Sequence, residues 1–328
     1  MRYPQKGFSL VELMIAITLA LIVVGAIGYF YLGTRQAYRS TDNLSQLQEN
    51  QRVALDVIAR DIRMAGYMGC VNINNSYPPN VIAKPPFPSL VPATMAQIYK
   101  DGAGWTPPLG YTRVPNTDVI EVRFASQAVG LTSIKNQSTA QTQIYNNLHN
   151  FAAGDVMMVS DCSRSDIFRA TSVSKGAGPI NIAHGANSNT TPFLSKVYGQ
   201  NAVLMSFHDV SYFIGFNATG NPTLYRFDAG APAPEEIAEN VENMQAQYIL
   251  NLNPDTNNDV EQEGNNTNIP AGAKVVALQV GMAFVGTDYY VATAAQTYKL
   301  IGNDYGPFDT RLRQAANITV ALRSQALF

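Results

Sequence analysis

Apolar side chains run almost unbroken from Phe8 to Leu32, behind a short polar start that carries Arg2 and Lys6. The run holds one carboxylate, Glu12. As a helix it rises roughly 37 Å, more than the hydrocarbon core of a bilayer at about 30 Å. This predicts a transmembrane segment over 8–32, and the positive charge ahead of it predicts a cytoplasmic start and an exported remainder. Polar residues take over after Leu32. Leu44, Leu47, Ala54, Ile58, Ile62 and Ala65 still recur in three- and four-residue steps, with one longer step across Gln51. No proline falls between Pro4 and Pro78, and Gly66 supplies a stop. One helix from Phe8 to Ala65 is therefore expected, roughly 87 Å long, with 33–66 its amphipathic half. Gly25, Gly28 and Gly33 offer places for a bend or for close helix packing.

From residue 67 onward the period changes from that of a helix to that of strands. Ile120, Val122 and Phe124 alternate with Val119, Glu121 and Arg123, which predicts a half-buried strand. Further strands are expected at Val156–Ser160, Ile167–Val173, Val203–Phe216, Leu224–Phe227, Met244–Leu250, Val275–Phe284 and Ile318–Leu322. Tyr77–Pro92 and Gly176–Pro192 are rich in Pro or Gly and Asn and are expected as long surface loops. No βαβ alternation and no internal repeat are evident. The expected class is α+β, with antiparallel sheets, two of them, packed on the long helix as a head over 67–328.

Composition sharpens this picture. Only 14% of residues are charged, against 24 glycines and 18 prolines, the composition of a loop-rich exported protein rather than a cytosolic enzyme. A net charge of −2 makes no electrostatic case for nucleic acid as a partner. Cys70 and Cys162 are too far apart in sequence for a metal or redox pair. In an oxidising compartment they are expected to form a disulfide tying the helix end to the head, with two buried thiols as the alternative. His149, His184 and His208 lie near no other ligand at metal spacing and are expected to be structural. There is no phosphate-binding Gly-rich loop and no Ser/His/Asp arrangement with local support, so no enzyme activity is expected.

Glu12 is the residue that asks for a function. A carboxylate deep in a span costs about 2.5–3.5 kcal/mol, less near an end. Neither a cleavable secretory signal nor a plain anchor explains it. The surrounding residues, Gly7-Phe8-Ser9-Leu10-Val11-Glu12-Leu13, resemble the processing motif of type IV prepilins. That resemblance implies cleavage after Gly7 by a prepilin peptidase, loss of a 1–7 leader, methylation of the new Phe8 amine and retention of the apolar helix. Loss of Arg2 and Lys6 would move the side-chain balance from −2 to −4. The Phe8 ammonium, in the same or a neighbouring subunit, would then be the natural partner of Glu12 in a lipid-like filament core. Gln51-Arg52, Ala59-Arg60-Asp61-Ile62-Arg63, Gly69-Cys70, Ser160-Asp161-Cys162, Asn240–Tyr248 and Thr319–Arg323 further resemble the PilW family of minor pilins.

That family implies a type IV pilin fold and an inner-membrane subunit with its head in the periplasm, later carried to the cell surface in the pilus. It also implies a role in initiating or capping the filament, with twitching motility, adhesion or DNA uptake following indirectly. The partners implied are the peptidase, the major pilin and other minor pilins, the inner-membrane assembly platform and a tip adhesin. Retention of Glu12 argues against the outermost tip position. Two alternatives stay open: a minor pseudopilin (J type) of a type II secretion system, and a pilin whose head binds DNA or another ligand. For the latter, seven basic and five acidic residues between Arg113 and Lys196 are scattered rather than clustered. No cofactor is expected, with calcium as the exception to be tested. Asp255, Asn257, Asp259, Glu261 and Glu263 alternate like the start of a calcium loop, but Val260 stands where Gly is needed and Asn266 where a bidentate Glu belongs. A solvated acidic hairpin tip is the simpler expectation.

Overall fold

The structure, a computed structural model, describes residues 7, 9–71, 78–84, 90, 94–132, 139–176, 178–252, 261–264, 269 and 273–322. One helix, Leu10–Met64, leads the chain. Its 55 residues correspond to about 82 Å. Ser9 is the N-cap in extended conformation and Ala65 the C-cap. Gly66 follows at φ 76°, the left-handed region that favours glycine, and its N–H bonds to the Arg123 carbonyl at 2.8 Å. The helix thus ends where the sequence predicts, and the chain passes directly into the head. Helical structure runs uninterrupted through Gly25, Gly28 and Gly33, and nothing in the described chain approaches those glycines.

The lower half of the helix packs on two sheets. Leu47, Ala54, Ile58, Ile62 and Ala65 form a core with Ile120, Val122, Val210, Tyr212 and Ile214 of the first sheet and Met244, Leu278, Val280, Met282 and Phe284 of the second. Burying each large aliphatic side chain contributes about 1.5–3 kcal/mol. Leu44 does not belong to this stripe: it is exposed, and Asn43 is buried in its place.

Val203–Phe216 is the axis of the larger, eight-stranded sheet. Val119–Gly130 pairs antiparallel along one edge of it, and Val156–Ser160 and then Pro222–Asp228 along the other. The smaller sheet runs Glu261–Gly264, Val241–Asn251, Lys274–Val285, Arg313–Ala321, all antiparallel. Tyr248 of the smaller sheet reaches the larger, its hydroxyl accepting from the Ile98 N–H at 3.0 Å and donating to the Ala96 carbonyl at 3.1 Å. A three-stranded sheet (Gln141–Ile144, Ile180–Ala183, Ser172–Val173) and a hairpin (Tyr298–Leu300, Asn303–Tyr305) complete the head.

Five expectations are corrected, the first being the number of sheets: four are present among the described residues rather than two, because two small sheets stand apart from the pair packed on the helix. Val119–Ala125 is buried on both faces rather than one. The helix covers Ile120 and Val122, while Trp105, Tyr111, Phe213 and Tyr225 form an aromatic layer beside Val119 on the opposite face. The expected strand Ile167–Val173 is two strands, Ser165–Arg169 and Ser172–Val173, in different sheets. Gly176–Pro192 is not simply a surface loop, since Ile180, Ile182, His184 and Asn189 are buried within it. The Tyr77–Pro92 segment, where described, contributes buried Ile82, Ala83 and Leu90, and its short strand Asn80–Val81 pairs with Asp166–Ile167 in parallel, an exception to the antiparallel rule.

Candidate functional site

The N-terminal end of the helix is a capping box. The Ser9 hydroxyl accepts from the Val11 N–H at 3.4 Å, and the Glu12 carboxylate accepts from the Ser9 N–H at 3.0 Å. Phe8, the expected ammonium partner of Glu12, lies outside the described residues. Gly7 is exposed. Beyond Glu12 the apolar stretch reaches a mean hydropathy of 2.7 over 18 residues, and none of that window is buried by the rest of the chain. Leu13, Ile17, Leu21, Val24 and Ile27 are all more than half exposed. By length and composition this helix can cross a membrane, and the described chain offers its upper half no cover.

The lower half, by contrast, is tied to the head at regular heights. Gln36 Nε2 donates to the Tyr290 carbonyl at 3.0 Å, Asn43 Nδ2 to Asp288 Oδ2 at 3.3 Å, and Asn50 Nδ2 to the Glu239 carbonyl at 2.9 Å. These residues are spaced seven apart, two helical turns, so they share one side of the helix. Gly286 permits the close approach at Asn43: a Cβ there would come within 2.6 Å of Asn43 Oδ1. The seam ends at Asp61, which is buried and accepts from the Tyr212 hydroxyl at 2.6 Å and from Arg226 Nε at 2.8 Å. Burial first, and then the adjacent Asp61 charge, push the Tyr212 phenol far above its ordinary value. Just past the helix end Cys70 is bonded to Cys162, with Cα atoms 4.8 Å apart. The bridge closes a loop over 92 positions and contributes about 2–4 kcal/mol by restricting the unfolded chain. The helix is therefore joined to the head by packing, hydrogen bonds and a disulfide just past its end.

Two comparisons with known proteins bear on what such a unit is. Residues 2–28 match the model of the prokaryotic N-terminal methylation motif. Residues 211–324, which hold the whole smaller sheet and the strands Pro222–Asp228 and Glu235–Glu239 of the larger, match the model of Type IV Pilus-assembly protein W, PilW. The chain is therefore similar to PilW-type pilus-assembly proteins over about a third of its length and carries the methylation motif at its start. The chain is also 34% identical, over 76 residues, to the pilin-like protein PilA3 of Thermus thermophilus. That match takes in 22% of this chain and spans 32% of the relative's length. A solved type IV-like pilin, TTHA1219 from Thermus thermophilus, aligns over 85% of this chain and 98% of its own at 11% identity, with a TM-score of 0.32.

Other polar clusters of the chain lie in the head. Arg123 is buried on the far face of the central strand pair, bonded to Glu121, to the Thr94 carbonyl at 2.5 Å and to Gln97 at 3.1 Å. Its Nε stands 3.1 Å from Asp209 Oδ1 as a charge pair without hydrogen-bond alignment. Burial outweighs that attraction and pushes the Asp209 carboxyl up to about 7. A carboxyl raised above its ordinary 3.8 in the folded state contributes stability that is complete below that value and is lost as pH rises through about 7. The melting temperature of the detergent-solubilised chain should therefore fall between roughly pH 4 and pH 7, and Asp209→Asn should flatten that fall. An unchanged slope in the variant would remove Asp209 as its cause.

The structure also assembles a Ser/His/Asp arrangement that the sequence did not suggest. His208 Nδ1 lies 2.7 Å from Asp228 Oδ2 and its Nε2 lies 2.9 Å from Ser126 Oγ. Register explains it: Phe124 pairs with His208 and Asp228 with Val210, so all three side chains fall diagonally on neighbouring strands. No local motif announces such a grouping. The His208 ring also packs on Phe124 at 5.1 Å. His184 is buried, with Nδ1 at 3.0 Å from the Pro192 carbonyl, and burial lowers its pKa. His149 lies beside Phe151. Cavities of about 520 and 540 Å³ lie elsewhere, one between Gln46, Glu49 and Asn50 of the helix and the strand Glu235–Glu239, the other between Tyr145 and Lys175.

Of the calcium-loop residues, Asp255, Asn257 and Asp259 lie outside the described residues. Glu261 and Glu263 stand in the strand Glu261–Gly264, opposite Asn251 and Ile249. Among the described residues no three His, Cys, Asp or Glu side chains group as metal ligands.

Proposed function

We propose that this chain is a minor pilin that helps to initiate assembly of type IV pili, acting as a structural subunit rather than as an enzyme. The observation that carries the reading is a long apolar helix holding Glu12 at its head, uncovered along its upper half and locked to a globular domain along its lower half. A soluble domain has no use for that exposed surface, whereas a subunit stored in a membrane and then bundled with like helices has. The reading includes removal of residues 1–7 by a prepilin peptidase and methylation of Phe8. It places the 67–328 head in the periplasm, and the assembled chain in contact with the major pilin, other minor pilins, the assembly platform and a tip adhesin. It requires no cofactor. Intact-mass measurement of the membrane-extracted chain, with and without the peptidase, tests it. Loss of Met1–Gly7 with one added methyl group is the expected result. An uncut chain, or one cut beyond the apolar run, would overturn the reading.

One observation favours a second reading, a serine-type hydrolase: the Ser126–His208–Asp228 relay. Such a relay activates a hydroxyl only if an electrophile can be bound beside it. On the structural-subunit reading a fluorophosphonate probe is expected to leave the folded chain unlabelled. Labelling lost in both Ser126→Ala and His208→Ala would establish the hydrolase instead.

A further inference from the structure

Aromatic side chains cluster at the C-terminal end of the apolar run, where it meets the head-bound half of the helix. Tyr29, Phe30 and Tyr31 are 83, 75 and 64% exposed. A second exposed pair comes from the other end of the sequence: Tyr289 and Tyr290, 58 and 81% exposed, in the turn after the strand Lys274–Val285. That turn is held at a defined height on the helix. Gln36 donates to the Tyr290 and Val291 carbonyls at 3.0 and 3.4 Å, and the Asp288 N–H bonds to Asn43 Oδ1 at 3.4 Å. The Tyr290 N–H is fixed in turn by Thr310 Oγ1 at 3.1 Å, and the Arg311 guanidinium lies over the Tyr289 ring at 5.0 Å.

The height decides what the pair meets. Gln36 is four residues past Leu32, about 6 Å further along the helix axis. A bilayer of about 40–45 Å around a core of about 30 Å leaves a headgroup layer of about 5–7 Å on each face. With Leu32 at the edge of the hydrocarbon, the turn bonded to Gln36 sits within that layer. Tyrosine suits the layer because its ring is apolar and its hydroxyl is wet. Arg35 and Arg39 stand at the same level of the helix and suit lipid phosphates.

We propose that the Tyr289–Tyr290 turn is a second membrane contact, seating the head on the lipid headgroups of the bilayer that the helix crosses. The inference rests on the reading of 8–32 as a span before assembly. It gives the head two points of attachment to the membrane, the helix and the turn, and so a fixed orientation in which neighbouring pilins would meet it. Entry into a filament would strip the turn from lipid.

The test uses the full chain in phosphatidylcholine–phosphatidylglycerol vesicles, with and without lipid brominated in the upper acyl chain. Trp105 is the single tryptophan, so Trp105→Phe provides a silent background for reporters placed one at a time. Tyr31→Trp reports on the span, Tyr290→Trp and Tyr289→Trp on the turn, and Tyr145→Trp, at a residue 74% exposed in the head, on solvent. The expected result is at least about twofold quenching of the reporters at 31 and at 290 or 289 and none at 145, as interfacial seating requires. Quenching at 31 with none at 289 and 290 would overturn the proposal and leave the span standing. Quenching at none of them would overturn the membrane reading itself.

Discussion

Glu12→Gln is expected to remove surface filaments as completely as Glu12→Ala while leaving the chain in the membrane. The pair of substitutions separates two roles of one carboxylate. In the structure Glu12 closes a capping box with Ser9, and glutamine closes that box as well as glutamate does. If local helix geometry were all that mattered, Glu12→Gln would assemble normally and Glu12→Ala would lose one capping hydrogen bond, about 0.5–1.5 kcal/mol. The proposed filament instead buries the carboxylate among apolar helices, where its partner is the ammonium freed by cleavage at Phe8. Leaving one member of a buried pair unmatched costs about 3–5 kcal/mol, which is roughly two to four orders of magnitude in an association equilibrium. Electron microscopy and shear-fraction blotting of a strain complemented with each variant would measure it. Normal piliation by Glu12→Gln would show that the charge is dispensable and would leave Glu12 as a cap.

Asp61→Ala is expected to loosen the helix from the head. Asp61 joins Tyr212 and Arg226 across the interface between the helix and the larger sheet. Its removal leaves a fully buried phenol without that acceptor and a largely buried guanidinium without that counter-charge. Arg226 retains 22% exposure, so the low end of the penalty for breaking a buried pair applies, about 3 kcal/mol. For a chain of this size that lowers the melting temperature by roughly 6–12 °C. A double-mutant cycle with Arg226→Met checks the cause: once Asp61 is gone, removing Arg226 should cost little more. Additivity of the two single changes within about 0.5 kcal/mol would mean that the residues act independently.

Much of the architecture was legible because it depends on local pattern. The helix boundary at Ala65–Gly66 follows from the end of the apolar stripe and a glycine able to take positive φ. Val156–Ser160 and Val203–Phe216 are strands at their expected limits, since β-branched and aromatic runs between turn residues leave little choice. Leu44 was misplaced because a three-four spacing tolerates either side of the stripe, and the seam at Gln36, Asn43 and Asn50 was passed over because its residues are polar. A seven-residue spacing of amides on an amphipathic helix is the signal that would have revealed it. The burial of Ile180 and Ile182 was obscured by the Gly- and Asn-rich residues around them, which carry turn chemistry regardless of what packs over them.

The sequence by itself determined the single long helix, the apolar span with its carboxylate, the α+β class and the motifs of the pilin superfamily. All of these are properties of residues close together in the chain. Only the tertiary structure decided what distant residues do to one another. It placed Glu121, Arg123 and Asp209 in one buried charge network and Ser126, His208 and Asp228 in one relay. It joined Asp61 to Arg226, and it carried Tyr289 and Tyr290 to the level where the helix leaves its apolar run. The physical reason is register. A strand's side chains alternate faces by a local rule, but which strand lies beside it, and in what alignment, is set by the packing of the whole sheet against the helix.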